Sequence, residues 1–154
     1  MFEHVRKEGK FILSSGRRSR YFYDFHLLDT SEWEHYVNLL KVTVDKDQDY
    51  DVIVAPATGG IIPGFVFAKN RSLPLLIVEK TGEVKGPKIG RRKFLIVDDV
   101  VTSLKTVRQS AIQVLIENPT ATLVGAASFI FRGNDEDLAS DIPLWFLERK
   151  EVEE

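Results

Sequence analysis

The sequence predicts a doubly wound α/β domain, with a mostly parallel sheet, flanking helices and a hairpin-like N-terminal segment. Three observations predict it. Short apolar runs, each bounded by polar, Pro or Gly residues, read as strands buried on both faces. Amphipathic helical patterns alternate with those runs, and the order β-α-β-loop-β-α-β implies right-handed crossovers. The composition also suits one packed core: 154 residues with 44% hydrophobic and 29% charged. That length fits one domain spanning 1–154, and the apolar fraction is too high for disorder.

In chain order, Phe11 to Phe25 is rich in Ser, Arg and aromatic residues, which suits an extended hairpin. Ser31-Glu32-Trp33-Glu34 reads as a capping box, followed by Trp33, Tyr36, Val37, Leu40 and Val44 at helical spacing. Asp51-Val52-Ile53-Val54-Ala55 is the first core strand, and Gly59 to Asn70 the next helix, with Phe65 and Ala68 facing inward. Leu75-Leu76-Ile77-Val78 is the second strand, and the Gly/Lys-rich stretch from Thr81 to Lys93 reads as a mobile loop. Phe94-Leu95-Ile96-Val97 is the third. Leu104, Val107, Ala111, Val114 and Leu115 then mark a helix that stops before Asn118-Pro119, because Pro cannot continue it. Leu123 to Phe131 and Leu144 to Leu147 complete the strands, and the charged end from Glu148 reads as a solvated tail.

Several functions are excluded at this level. Zero Cys removes disulfide scaffolds, thiolate metal sites and cysteine nucleophiles. The 21 Lys+Arg against 23 Asp+Glu, a net charge of −2, argue against a surface that binds nucleic acid throughout. The basic clusters Arg17-Arg18 and Arg91-Arg92-Lys93 stand in no recognition motif, so no nucleic-acid partner is expected. No apolar stretch reaches the roughly 18 residues of a membrane span, and Met1 to Lys7 lacks a signal-peptide core. The expectation is a soluble cytoplasmic protein. G-x-S-x-G, Walker A and G-x-G-x-x-G patterns are missing. His4, His26 and His35 lack metal-ligand spacing and read as surface or packing residues.

The chemistry concentrates where strands end, the place at which open parallel sheets bind ligands. In Phe94-Leu95-Ile96-Val97-Asp98-Asp99-Val100-Val101-Thr102-Ser103-Leu104-Lys105-Thr106, an apolar strand delivers two adjacent carboxylates and then a hydroxylated turn that opens a helix. Amides and hydroxyls at a helix start suit a phosphate. Carboxylates beside them suit sugar hydroxyls or a hard cation, so the pair describes a sugar phosphate site. The plainer reading is a strand end and a helix cap. In Val52-Ile53-Val54-Ala55-Pro56-Ala57-Thr58-Gly59-Gly60, a strand runs into a second amide-rich turn, which is an anion nest or an ordinary strand-to-helix connection.

The Asp-Asp stretch resembles the phosphoribosyl pyrophosphate signature of type I phosphoribosyltransferases, and the Thr58-Gly59-Gly60 turn resembles their pyrophosphate loop. Phe11-Ile12-Leu13-Ser14-Ser15-Gly16-Arg17-Arg18-Ser19-Arg20-Tyr21-Phe22-Tyr23-Asp24 resembles the N-terminal segment of the orotate phosphoribosyltransferases, and Arg132 falls where their Asp-Arg pair stands. The resemblance covers about residues 10 to 135. It implies an enzyme that joins orotate to phosphoribosyl pyrophosphate and releases pyrophosphate, through a ribosyl cation-like transition state. Asp98 and Asp99 are implied to orient the ribose, and Thr102, Ser103, Leu104, Lys105 and Thr106 to hold the 5-phosphate. Thr58, Gly59, Gly60 and Lys80 are implied to receive pyrophosphate, and Phe22, Tyr23 and Arg132 to hold the base. Mg²⁺ is the implied cofactor, bound mainly through substrate oxygens, and a homodimer the implied assembly.

The sequence departs from the family pattern in four places. Leu104-Lys105 replaces glycine in the phosphate turn, Glu79 replaces Arg beside Lys80, and Phe131 replaces the Asp before Arg132. The hood after Lys80 is short and has no His, with Lys85 as a candidate replacement for its lysine. These departures motivate two alternatives: a weak or inactive relative that binds nucleotide or phosphoribosyl pyrophosphate as a regulator, and a transferase for another base.

Overall fold

The structure is a computed structural model that describes residues 1–153. A six-stranded sheet lies at its centre, with a separate two-stranded hairpin above one end. The hairpin pairs β1 (Arg6–Ile12) with β2 (Arg18–Tyr23), so it begins at Arg6, ahead of the Phe11 to Phe25 stretch that suggested it. The core elements are α1 (Thr30–Asp45), β3 (Val52–Pro56), α2 (Ile61–Lys69), β4 (Leu75–Val78), β5 (Val84–Lys85), β6 (Lys93–Val101), α3 (Leu104–Glu117), β7 (Thr122–Phe131), α4 (Asp135–Leu138) and β8 (Leu144–Arg149).

Strand order is β5-β4-β3-β6-β7-β8, parallel except for the short β5. Chain direction across the sheet reverses between β3 and β6, and this switch leaves a crevice at their carboxyl ends. Alternate residues of β3 feed two cores. Ile53 packs with α1 and α2 on one face, while Val52 and Val54 pack with α3 on the other. The first core is dense in aromatics: Phe2, Phe25, Trp33 and Tyr36 all pack around Phe129.

Five local expectations are corrected. The α1 capping box is made by Asp29 and Glu32 rather than Ser31 and Glu34. The Asp29 side chain accepts from the Glu32 amide at 2.8 Å and Glu32 reaches back to the Asp29 amide. In α2, Phe67 is fully buried and Phe65 faces outward, because Pro63, Gly64, Phe67 and Ala68 form the inward stripe. The acids lie inside β6 and not beyond its end. That strand continues against β7 (Asp98 opposite Ser128, Val100 opposite Ile130) after its pairing with β3 has stopped at Ile96. The stretch from Thr81 to Lys93 is not a free loop: β5 pairs with β4 and Ile89 is buried. The charged end is not a solvated tail either. Glu148 and Arg149 finish β8, and the Arg20 amide of the hairpin donates to the Glu153 carbonyl at 2.6 Å. Among the described residues, no helix is long and apolar enough to cross a membrane.

Candidate active site at the sheet switch point

A cleft of about 350 Å³ opens at the carboxyl ends of β3 and β6, roofed by the hairpin. Its walls include Phe22 and Tyr23 from β2, Thr58 and Gly59 from the β3–α2 turn, Lys80 from the end of β4, and Asp98, Asp99, Thr102 and Thr106 from the β6–α3 segment. Residues as distant in sequence as 22 and 106 thus face one space.

The two carboxylates sit side by side on the part of β6 that outruns β3. Asp98 accepts from the Asp99 amide at 2.8 Å, and Asp99 from the Val100 amide at 2.7 Å. Burial pushes the Asp98 carboxyl well above the usual range, and the neighbouring Asp99 charge adds to the rise. Burial raises Asp99 too, against the pull of its hydrogen bonds. Neither acid has a salt-bridge partner among the described residues, so both hold charge poorly until a cation or a set of hydroxyl donors arrives.

The turn after β3 is packed against that pair. A Cβ at Gly59 would fall 2.6 Å from one Asp99 carboxylate oxygen, and a Cβ at Gly60 would fall 2.7 Å from the Pro56 and Val97 carbonyls. No residue with a side chain fits either place without a shift. Gly59 borders the cleft, whereas Gly60, expected at the pyrophosphate, lies outside its lining because its amide donates to the Pro56 carbonyl at 2.9 Å to close the turn.

The turn after β6 is built differently. Thr102 is buried, its hydroxyl 3.1 Å from that of Ser14. Ser103 takes the extended position before α3 and makes no capping bond with its side chain. Together with Thr106 they border a niche of only about 10 Å³. Leu104, expected at the phosphate, turns its side chain into the core beside Val107 and Ala111. Lys105 is exposed and stands outside the residues that border the cleft. Helical geometry requires this split, since the first residue of the inward stripe must be apolar.

Arg132 borders the cleft together with Phe22 and Tyr23, and it is also tied into the fold. It is buried, and its terminal nitrogens donate to the Tyr21 carbonyl at 3.0 Å, the Ser19 hydroxyl at 2.9 Å and the Glu151 carbonyl at 3.3 Å. Only Nε is left without a partner. The guanidinium therefore fastens the hairpin and the C-terminal segment to the end of β7, with the Tyr23 ring 5.2 Å away.

At the other wall, Glu79 is held by Lys85 at 3.5 Å, which leaves Lys80 as the cation facing the cleft at the end of β4. Ser14, Asp24 and His26 also border the cleft and were not read as site residues. Ser14 and Asp24 belong to the N-terminal motif, and this signal could have found them. His26 had none, because it reaches the site only through the fold of the hairpin. Among the described residues, no cluster of three or more His, Cys, Asp or Glu could hold a metal ion.

Paired acids, a glycine turn and a hydroxylated helix start, all at the switch point of a parallel sheet, make up the arrangement of the type I phosphoribosyltransferases. Comparison with known proteins agrees. No family model matches the chain. The orotate phosphoribosyltransferase of Caulobacter vibrioides is 34% identical over 158 residues, covering 95% of this chain and 78% of that protein. That of Thermus thermophilus is 34% identical over 112 residues, covering 67% of this chain, so the match spans 60% of that protein's length. The crystal structure of the Aeropyrum pernix orotate phosphoribosyltransferase superposes with a TM-score of 0.77 at 28% identity, covering 95% of this chain and 89% of that one. The adenine phosphoribosyltransferase of Thermoanaerobacter pseudethanolicus shares the fold alone, with a TM-score of 0.76 at 15% identity, covering 97% of this chain and 98% of that one. The chain belongs to the type I phosphoribosyltransferase family, and the members it is most like are orotate phosphoribosyltransferases.

Proposed function

We propose that the chain, acting as one domain, transfers the phosphoribosyl group of phosphoribosyl pyrophosphate to orotate. A bond forms between the anomeric carbon and a ring nitrogen of the base as that nitrogen gives up its proton, the bond from that carbon to the pyrophosphate oxygen breaks, and pyrophosphate and the proton leave. The observation that carries this reading is the meeting of the Asp98-Asp99 pair, the Gly59 turn and the aromatic hairpin around one cleft.

In this reading Asp98 and Asp99 accept hydrogen bonds from the ribose hydroxyls and fix the anomeric carbon in place. Thr102, Ser103 and Thr106 hold the 5-phosphate, for which the niche beside Ser14 has to widen. Amides of Thr58 and Gly59, with Lys80, stabilise charge on the departing pyrophosphate. Phe22 and Tyr23 flank the planar base, and Arg132 keeps the hairpin over it. Positioning and preorganised charge supply most of the acceleration. The paired, unneutralised acids fit a hard cation: Asp98 and Asp99 would help to hold Mg²⁺ alongside the substrate, and the ion would supply positive charge for the leaving group. A cytoplasmic homodimer completes the reading. The exposed Ile62 and Phe65 on α2 provide an apolar face for assembly.

A second reading is a weak or inactive relative that binds phosphoribosyl pyrophosphate as a regulator. The buried Leu104 in the phosphate turn and the Glu79–Lys85 pair in the shortened hood favour it. Calorimetric titration with phosphoribosyl pyrophosphate, run beside a turnover assay across orotate, uracil and adenine, separates the readings. Pyrophosphate release with orotate supports the transferase. Binding without turnover of any base supports the regulator, and turnover of adenine alone would reassign the base.

A further inference from the structure

The base loses a proton from its ring nitrogen as the new bond forms, and that proton needs an acceptor at the cleft. Lys80 and Arg132 have no lone pair to offer, and in the transferase reading Asp98 and Asp99 are occupied by the ribose. On the wall that carries Phe22 and Tyr23, two more titratable side chains border the same space, Asp24 and His26.

They form a pair with a fixed direction. His26 lies in the short helical turn Phe25–Leu27 that follows β2, and Asp24 caps this turn by accepting from the His26 amide at 3.2 Å. The same carboxylate oxygen stands 3.3 Å from His26 Nδ1, while the other accepts from Lys7 Nζ on β1 at 2.7 Å. The Lys7 hydrogen bond holds the Asp24 carboxyl below its usual range, so Asp24 stays ionised and is itself a poor proton acceptor. A carboxylate only accepts hydrogen bonds. Nδ1 therefore carries the hydrogen of the neutral ring, and Nε2 presents a bare lone pair. Phe25, between the two residues, is buried against Phe2, Trp33 and Phe129, which anchors the turn. The His26 side chain is 64% exposed, so a proton it takes has a route to water.

We propose that His26 is a catalytic residue of this site and that Asp24 positions it, an inference that rests on the transferase reading. The ring nitrogen of the base gives its proton to His26 Nε2 and its electron pair to the anomeric carbon. The electron pair of the bond to pyrophosphate leaves with the pyrophosphate, and the imidazolium returns the proton to solvent. The Asp24 carboxylate stabilises the imidazolium through Nδ1.

The single-turnover rate of the full chain, with phosphoribosyl pyrophosphate saturating, tests this assignment on orotate and on 5-fluoroorotate, whose fluorine makes the ring proton easier to remove. His26→Gln should slow orotate by about a hundredfold, with affinity for phosphoribosyl pyrophosphate held within about twofold. The loss with 5-fluoroorotate should be smaller, about tenfold, because a more acidic proton depends less on its acceptor. Asp24→Asn, which keeps the shape and removes the charge, should slow orotate by about tenfold, and thermal melting checks that both variants fold. A loss of equal size for the two bases marks a structural role and overturns the proposal. A His26→Gln chain as fast as a parent that turns over orotate overturns it too, and leaves the transferase reading standing. A parent that turns over neither base overturns the transferase reading and this proposal together.

Discussion

The turn after β3 places two glycines against the Asp99 carboxylate and the Pro56 and Val97 carbonyls, whereas the turn after β6 opens α3 with a buried leucine and an exposed lysine. Both join a central strand to a helix at the same crevice. In the first the backbone itself approaches the site, and any side chain would collide. In the second the backbone is committed to starting a helix whose inward stripe begins at once, so only the hydroxyls of Thr102, Ser103 and Thr106 face the niche. The first turn is therefore specified by what it must leave out, the second by the core it must fill.

The sharpest way to break this contrast is Leu104→Gly, which restores a glycine to the second turn at the expense of the core. It should lower stability by about 3–5 kcal/mol, from the cavity and the lost helix propensity. Urea unfolding measures it, and an unchanged midpoint would mean that the leucine is not a core residue. Gly59→Ala comes next. Its methyl must displace the Asp99 carboxylate, with an overpacking cost of about 1–3 kcal/mol. Affinity for phosphoribosyl pyrophosphate should fall by about tenfold to a hundredfold. Titration that finds wild-type affinity would show that the turn yields easily.

Asp98→Asn probes the carboxylates that the first turn is pressed against. Burial holds the folded-state pKa of Asp98 above its unfolded value, so ionising the acid costs stability as pH rises through the folded pKa. The amide removes that cost. The variant should melt higher than the parent at neutral pH, by about 2–4 °C for each kcal/mol relieved. The gain should vanish below about pH 4, where the carboxyl is protonated in both states. Sugar-phosphate binding should be lost at the same time. A variant that melts lower at neutral pH would assign Asp98 a structural role. The smallest effect is expected for Lys105→Ala, which touches neither core nor cleft. Stability should change by less than about 0.5 kcal/mol and affinity for phosphoribosyl pyrophosphate by less than about threefold. A larger fall in affinity would place the lysine at the phosphate after all.

Much of the fold was legible in the residues because buried parallel strands are runs of apolar side chains whatever surrounds them. Leu75 to Val78 reads as a strand from composition alone, and Pro119 ends α3 at Glu117 because proline has no amide to give. The glycines and acids of the site could be read for the same reason: close approach and buried charge each admit few residue types. What failed depended on phase or on distant partners. Phe65 and Phe67 both sit in an apolar stretch, and only the packing of Gly64 against Ala55 decides which one turns inward.

The sequence by itself determined the alternation of strands and helices, the position of the acids near a strand terminus and the anion-binding character of two turns, since these follow from local chemistry. Tertiary structure alone decided that Arg132 would hold a hairpin and a C-terminal segment and that Leu104 would belong to the core. It also decided that His26 would border the cleft. Each of those outcomes depends on which surface happens to lie opposite, and that surface comes from elements many residues away.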